Sequence, residues 1–142
     1  LVRVTPPAPG FKVEKRGDLY YMDQVNHNRY DALAASVSGL DTRRLVDAFH
    51  TLRPLFEQAY ETLGLDPDDF DNAVIRTLDL VLATPEINEP VALKPKSVIY
   101  VYADPALESL PGVQKQMLRM GPDNIRLVKQ QAKALRELLL AP

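Results

Sequence analysis

The spacing of hydrophobic positions changes twice along this chain, and each change predicts an element. The runs Phe11-Lys12-Val13-Glu14 and Leu19-Tyr20-Tyr21-Met22 flank Lys15-Arg16-Gly17-Asp18. Aromatic and β-branched residues on either side of a Gly-Asp turn predict a β-hairpin. From Asn28 the spacing becomes helical: Tyr30, Leu33, Ala34 and Val37 share a face, and Gly39 stops the run. A long helix follows, capped by Asp41 or Thr42. Its stripe is Leu45, Phe49, Leu52, Phe56, Ala59 and Leu63, with Gly64 placed as a left-handed C-cap. Pro54 removes a backbone donor and crowds the His50 carbonyl, so a kink is expected.

Asp66-Pro67-Asp68-Asp69 opens a third helix, with Phe70, Val74, Leu78 and Val81 inward, that must end before Pro85. Val91-Ala92-Leu93 and Ser97-Val98-Ile99-Tyr100-Val101-Tyr102 follow. The second is the strongest strand in the chain and is expected to pair with the hairpin. Short segments begin near Pro105 and Pro111. The last helix runs from Pro122 to Leu140 along a seam of Ile125, Val128, Ala132, Leu135 and Leu139. The fold class is therefore α+β, mostly α: four to five helices around one core with a small antiparallel sheet, the N-terminal hairpin plus a strand near 98–102.

Thr5-Pro6-Pro7-Ala8-Pro9-Gly10 makes residues 1–10 a linker-like segment and residues 11–142 a single globular domain. A start at Leu1 rather than Met fits an excised domain. The chain has no cysteine, which removes disulfides, thiolate metal sites and cysteine nucleophiles. No apolar run approaches the roughly 18 residues that a membrane span needs. A net charge of −2 argues against nucleic acid, but the charge is unevenly placed. Residues 57–90 hold nine acids against Arg76 alone, while residues 112–142 hold six bases against Asp123 and Glu137. Two facing surfaces of one fold explain this, as would a charge-matched partner or self-association.

Several segments taken together carry a family likeness: Arg29-Tyr30-Asp31-Ala32-Leu33, Leu52-Arg53-Pro54-Leu55-Phe56-Glu57-Gln58-Ala59-Tyr60 with Leu63-Gly64, Ala83-Thr84-Pro85-Glu86, Pro95-Lys96, and Tyr102-Ala103-Asp104-Pro105-Ala106-Leu107-Glu108. The longest is Gln114-Lys115-Gln116-Met117-Leu118-Arg119-Met120-Gly121-Pro122-Asp123-Asn124. The chain resembles a bacterial family of uncharacterised proteins, the domain-of-unknown-function family numbered 3014. The resemblance implies bacterial origin and a parent whose membrane anchor precedes the Pro-rich linker, hence a periplasmic or envelope location. It implies no activity, cofactor or catalytic residue.

Candidate chemistry is sparse. Asp66, Asp68, Asp69 and Asp71 could attract a hard cation, but Asp71 and Thr77 stand where a calcium loop needs Gly and Glu; acids at a helix start also serve as caps. Asp23, His27, Arg29, Tyr30 and Asp31 could form a polar cluster with a general base, or tie the hairpin to the helices. His50, Arg53 and Glu57 share a helical face that could hold an anion, or simply pair Arg53 with Glu57. Around Arg119-Met120-Gly121-Pro122-Asp123-Asn124, free N–H groups could hold an anion, though a corner between helices accounts for the turn. Asp23, His27, Arg29, Tyr30, Arg53 and Arg119 thus form one candidate polar or anion-binding cluster. The stripe Arg126, Lys129, Lys133 and Arg136 is a candidate partner-binding surface, or a solvated helix face.

Phosphate-binding glycine loops, the Gly-x-Ser-x-Gly elbow and His-Glu-x-x-His are all missing from the sequence. No catalytic residue, metal ligand or cofactor is assigned. The sequence favours a non-catalytic binding or interaction module, with a protein partner or self-association, no nucleic acid, and no membrane span within the chain. A small hydrolase-like or ligand-binding domain with a pocket near Asp23, His27, Tyr30 and Arg53 is the alternative, and a structural scaffold is the third reading.

Overall fold

A computed structural model describes residues 10–141; the proline-rich stretch before Gly10 lies outside the described residues. Strands β1 (Val13–Arg16) and β2 (Leu19–Met22) form the expected hairpin. Gly17 takes a positive φ of 61°, which lets a two-residue turn close it. Met22 pairs with Val13, and Leu19 with Arg16.

The sheet has one strand more than expected. Strands β3 (Ala92–Lys96) and β4 (Ile99–Tyr102) make a second hairpin, and the order is β1-β2-β3-β4. The strand at 99–102 therefore does not pair with the N-terminal hairpin directly; β3 stands between them. Pro95 concealed β3 in the sequence. It sits opposite Tyr100 beyond the last β2–β3 pair, Tyr20 with Leu93, where its missing N–H costs no ladder bond.

Asp23 opens a 3-10 segment, Gln24–Tyr30, by accepting from the Val25 N–H, and α1 (Asp31–Ser38) continues from it. Asp41 caps α2 (Thr42–Thr62), which runs unbroken through Pro54. Asp66 caps the turn leading into α3 (Phe70–Leu82), which stops before Pro85 as predicted. Two short helices, α4 (Pro105–Glu108) and α5 (Gly112–Leu118), precede α6 (Pro122–Leu139). Among the described residues the helices number six, where four or five were expected, because both short proline-initiated segments are helical.

Helix α6 is the hub: α1, α2 and α3 all pack on it. Its seam residue Ile125 is 1% exposed, and Ala34 of α1 is fully buried beside the same core. Met22, Leu93 and Tyr102 lie on one face of the sheet and join Met117, Leu118 and Met120 around α5. The other face, with Glu14, Arg16, Ile99 and Val101, is left toward solvent, the usual division in an antiparallel sheet.

The long stripe of α2 packs along only part of its length. Leu45 and Phe49 are half-buried, whereas Leu63 is 75% exposed and Leu55, off the predicted stripe, is 61% exposed. Phe49, Phe56 and Tyr60 instead gather around Phe70 at the start of α3, with ring centroids 5.5–6.0 Å from it. Aromatic contact holds the end of this helical arm together where the core has run out.

Candidate functional site

The structure splits the predicted polar cluster into separate places. Asp23 caps the 3-10 segment and is exposed. Arg53 pairs with Glu57 at 2.7 Å and with Asp71 at 2.8 Å, tying α2 to α3. His27 lies at the start of α6, against Gly121. Burial lowers its pKa below the ordinary value, although Asp123, Asp31 and Asp23 pull the other way. Nearby, buried Asn124 donates to the His27 and Met120 carbonyls and to the Asp31 carboxylate. The turn 119–124 is thus an interhelical corner wired through Asn124.

Arg29, Tyr30 and Arg119 do come together. They line a cleft of about 420 Å³ between the helices and the inner face of the sheet. Met22, Leu93, Tyr100 and Tyr102 contribute from the sheet, and Phe11 lies at the aromatic edge, 6.3 Å from Tyr100. Tyr20 packs on Tyr100 at 5.3 Å and holds that ring from behind. Helix α5 contributes Lys115, and α4 contributes Glu108.

Polar groups around this cleft hold one another in fixed positions. The Tyr102 hydroxyl donates to the Lys115 carbonyl at 2.9 Å. Burial raises the Tyr102 pKa, and the facing Arg119 guanidinium opposes that rise. Gln116 donates to the Tyr30 hydroxyl at 3.3 Å and accepts from Arg119 at 3.3 Å. Lys115 Nζ bonds both the Glu108 carboxylate, at 3.0 Å, and the Glu108 carbonyl, at 3.1 Å. That ammonium, and then the Tyr102 N–H, hold the Glu108 carboxyl below its usual range.

Sequence reasoning missed Phe11, Tyr100, Tyr102, Glu108 and Lys115. A signal existed for two of them: Tyr100 and Tyr102 have the same parity on β4, as Tyr20 and Met22 do on β2.

The stripe on α6 faces acids of its own chain. Lys129 and Arg126 pair with Glu86, Arg126 also pairs with Asp123, and Arg136 pairs with Asp79. Lys133 reaches Glu137 at 4.0 Å with its side chain 71% exposed. In the acidic segment, Asp69 pairs with Arg76 and Asp71 with Arg53. Among the described residues, no group of His, Asp and Glu is arranged to hold a metal ion, and no helix is long and apolar enough to cross a membrane.

Neither a curated protein nor a solved structure matches the chain. The family described as "Protein of unknown function (DUF3014)" matches residues 1–136. With nearly the whole length matched, the chain belongs to the DUF3014 family.

Proposed function

We propose that this domain is a non-catalytic binding module that receives an anionic ligand or partner group in the cleft between sheet and helices. The carrying observation is the lining itself: the exposed Arg119 stands beside a floor to which Met22, Leu93 and Tyr100 contribute. A few placed charges over a mostly apolar surface are what small-molecule sites generally offer. Among the described residues the lining includes no Ser, Thr, His or Asp. Its one acid, Glu108, is engaged by Lys115 and by the Tyr102 N–H, so it is badly placed as a general base. Together these features favour holding a ligand over transforming it. In this reading the parent protein is held at the bacterial envelope.

The test is a titration of the ¹⁵N-labelled domain with benzoate and, separately, with the cation benzamidine. Amide shifts at Tyr30, Tyr100, Tyr102 and Arg119 that appear with the anion only are expected. Equal shifts with both probes, or none at these positions, would sink the proposal.

A further inference from the structure

We infer that α2 pairs antiparallel with the α2 of a second copy of this chain, through a stripe that its own fold leaves open. No α2 residue lines the cleft, so the pairing does not depend on what the cleft holds. Helix α2 is 21 residues long, and none of them is buried. Leu45, Phe49 and Tyr60 are half-buried against the rest of the domain, whereas Ala48, Leu52, Leu55 and Ala59 are all exposed.

These four recur at intervals of four, three and four residues. That is the heptad spacing of a helix seam, and it keeps them on one side of the helix over about three turns. The order small, large, large, small also reads the same from either end. In an antiparallel pair turned about the midpoint between Leu52 and Leu55, Leu52 of one copy faces Leu55 of the other, and Ala48 faces Ala59. Leucines then meet at the centre, and alanines at both ends let the backbones approach. The stripe is self-complementary, as a two-fold interface requires.

Charge selects both the partner and the direction. Asp47, Arg53, Glu57 and Glu61 lie off the stripe, so closing the seam buries none of them. The first turn of α2 holds no acid and its last turn no base, while Arg43 and Arg44 stand at its start. Cations there oppose the positive end of the helix dipole, and the last carbonyls have no cation near them in the helix. The Arg44 side chain is 88% exposed and comes only within 3.9 Å of Asp41. The antiparallel register brings Arg44 level with Leu63, the C-cap of the other copy's helix, and so relieves both mismatches. A parallel pair would instead set Arg43 and Arg44 beside their own counterparts.

Sedimentation velocity of the whole chain from about 5 to about 500 µM should show monomer passing to dimer, as expected for a small interface. Leu52→Glu and Leu55→Lys should each weaken the dimer at least about tenfold. Mixed in equal amounts, the two variants should recover a heterodimer, because the antiparallel register sets each new charge against the other. The chain has no cysteine, so oxidation of single-cysteine variants reports the register. Ala48→Cys mixed with Ala59→Cys should cross-link, and neither alone should, since like positions lie about 16 Å apart along the axis, beyond the reach of a disulfide. Both leucines are exposed, so their replacement should leave the melting curve of the dilute chain in place. Should it move, Leu55→Ala must still weaken the dimer, and a dimer unchanged by it would overturn the inference. Cross-linking of Ala48→Cys with itself would overturn the antiparallel seam. A chain that stays monomeric at about 500 µM would leave the stripe to a different partner and overturn the pairing outright.

Discussion

Gly121 lies so close against the imidazole of His27 that a β-carbon at position 121 would collide with the ring. Gly121 also holds a φ of 80°, where side chains other than glycine are strained. Two elements far apart in sequence, the 3-10 segment and the start of α6, depend on this contact. Gly121→Ala should destabilise the fold by about 2–4 kcal/mol, from backbone strain and overpacking together. Chemical denaturation gives the value. If the contact is responsible, adding His27→Ala should cost less in the Gly121→Ala background than alone, and strict additivity would refute the steric account.

His27 also sets a pH dependence. Its pKa in the fold is lowered, chiefly by burial, with Asp123, Asp31 and Asp23 resisting. The folded state therefore binds the proton less readily than the unfolded chain. Stability is fully present above the ordinary value of 6.5 and declines as pH falls through that value toward the lowered one. The melting temperature should drop over this window, and His27→Gln should flatten the drop. An identical slope in the variant would show that another group is responsible.

Ser97 is the one described residue other than glycine with a positive φ, at 57°, and it opens the β3–β4 turn. Gly17 does the same task in the first hairpin at 61°. Ser97→Gly should relieve about 1 kcal/mol of strain and lose part of it to the greater freedom of the unfolded chain. A net gain of about 0.5 kcal/mol is expected by urea denaturation. A loss would mean that the serine side chain contributes more than its backbone costs.

Helix ends were legible in the sequence because local chemistry sets them. Asp41 and Asp66 accept backbone N–H bonds, and Pro122 starts α6, where the spacing of polar and proline residues placed those boundaries. The β3 strand was hidden because Pro95 reads as a strand breaker until its position beyond the β2 pairing is known. The partly open α2 stripe was hidden for a related reason. Periodicity tells which side of a helix is apolar, but not how much of its length the rest of the fold can cover.

Arg29, Tyr30 and Arg119 stood out in the sequence as polar residues that could serve a site or a structural corner, and the cleft brings them together. Its remaining members depend on long-range packing: the Gln116–Tyr30 bond spans 86 residues. Asp23 and Arg53 stood out equally well, but their partners are local caps and ion pairs. Residue type alone does not separate the two groups.

Glu86 is the pivot of the basic stripe and gives the remaining prediction. It accepts from Lys129 at 2.9 Å and faces Arg126 at 3.7 Å, and the Lys129 hydrogen bond leads in holding its pKa below the ordinary 4.5. Its stabilising effect is therefore present above 4.5 and lost as pH falls through the lowered value. Glu86→Gln leaves Lys129 facing a neutral partner while the exposed Arg126 keeps Asp123. At neutral pH and low ionic strength the variant should melt below the parent chain. At about 1 M salt, where charges are screened beyond about 3 Å, the two melting temperatures should converge. Convergence would place the stripe among intramolecular ion pairs. A difference that persists in high salt would instead assign Glu86 a packing role, since screening removes the charge effect but not the contact.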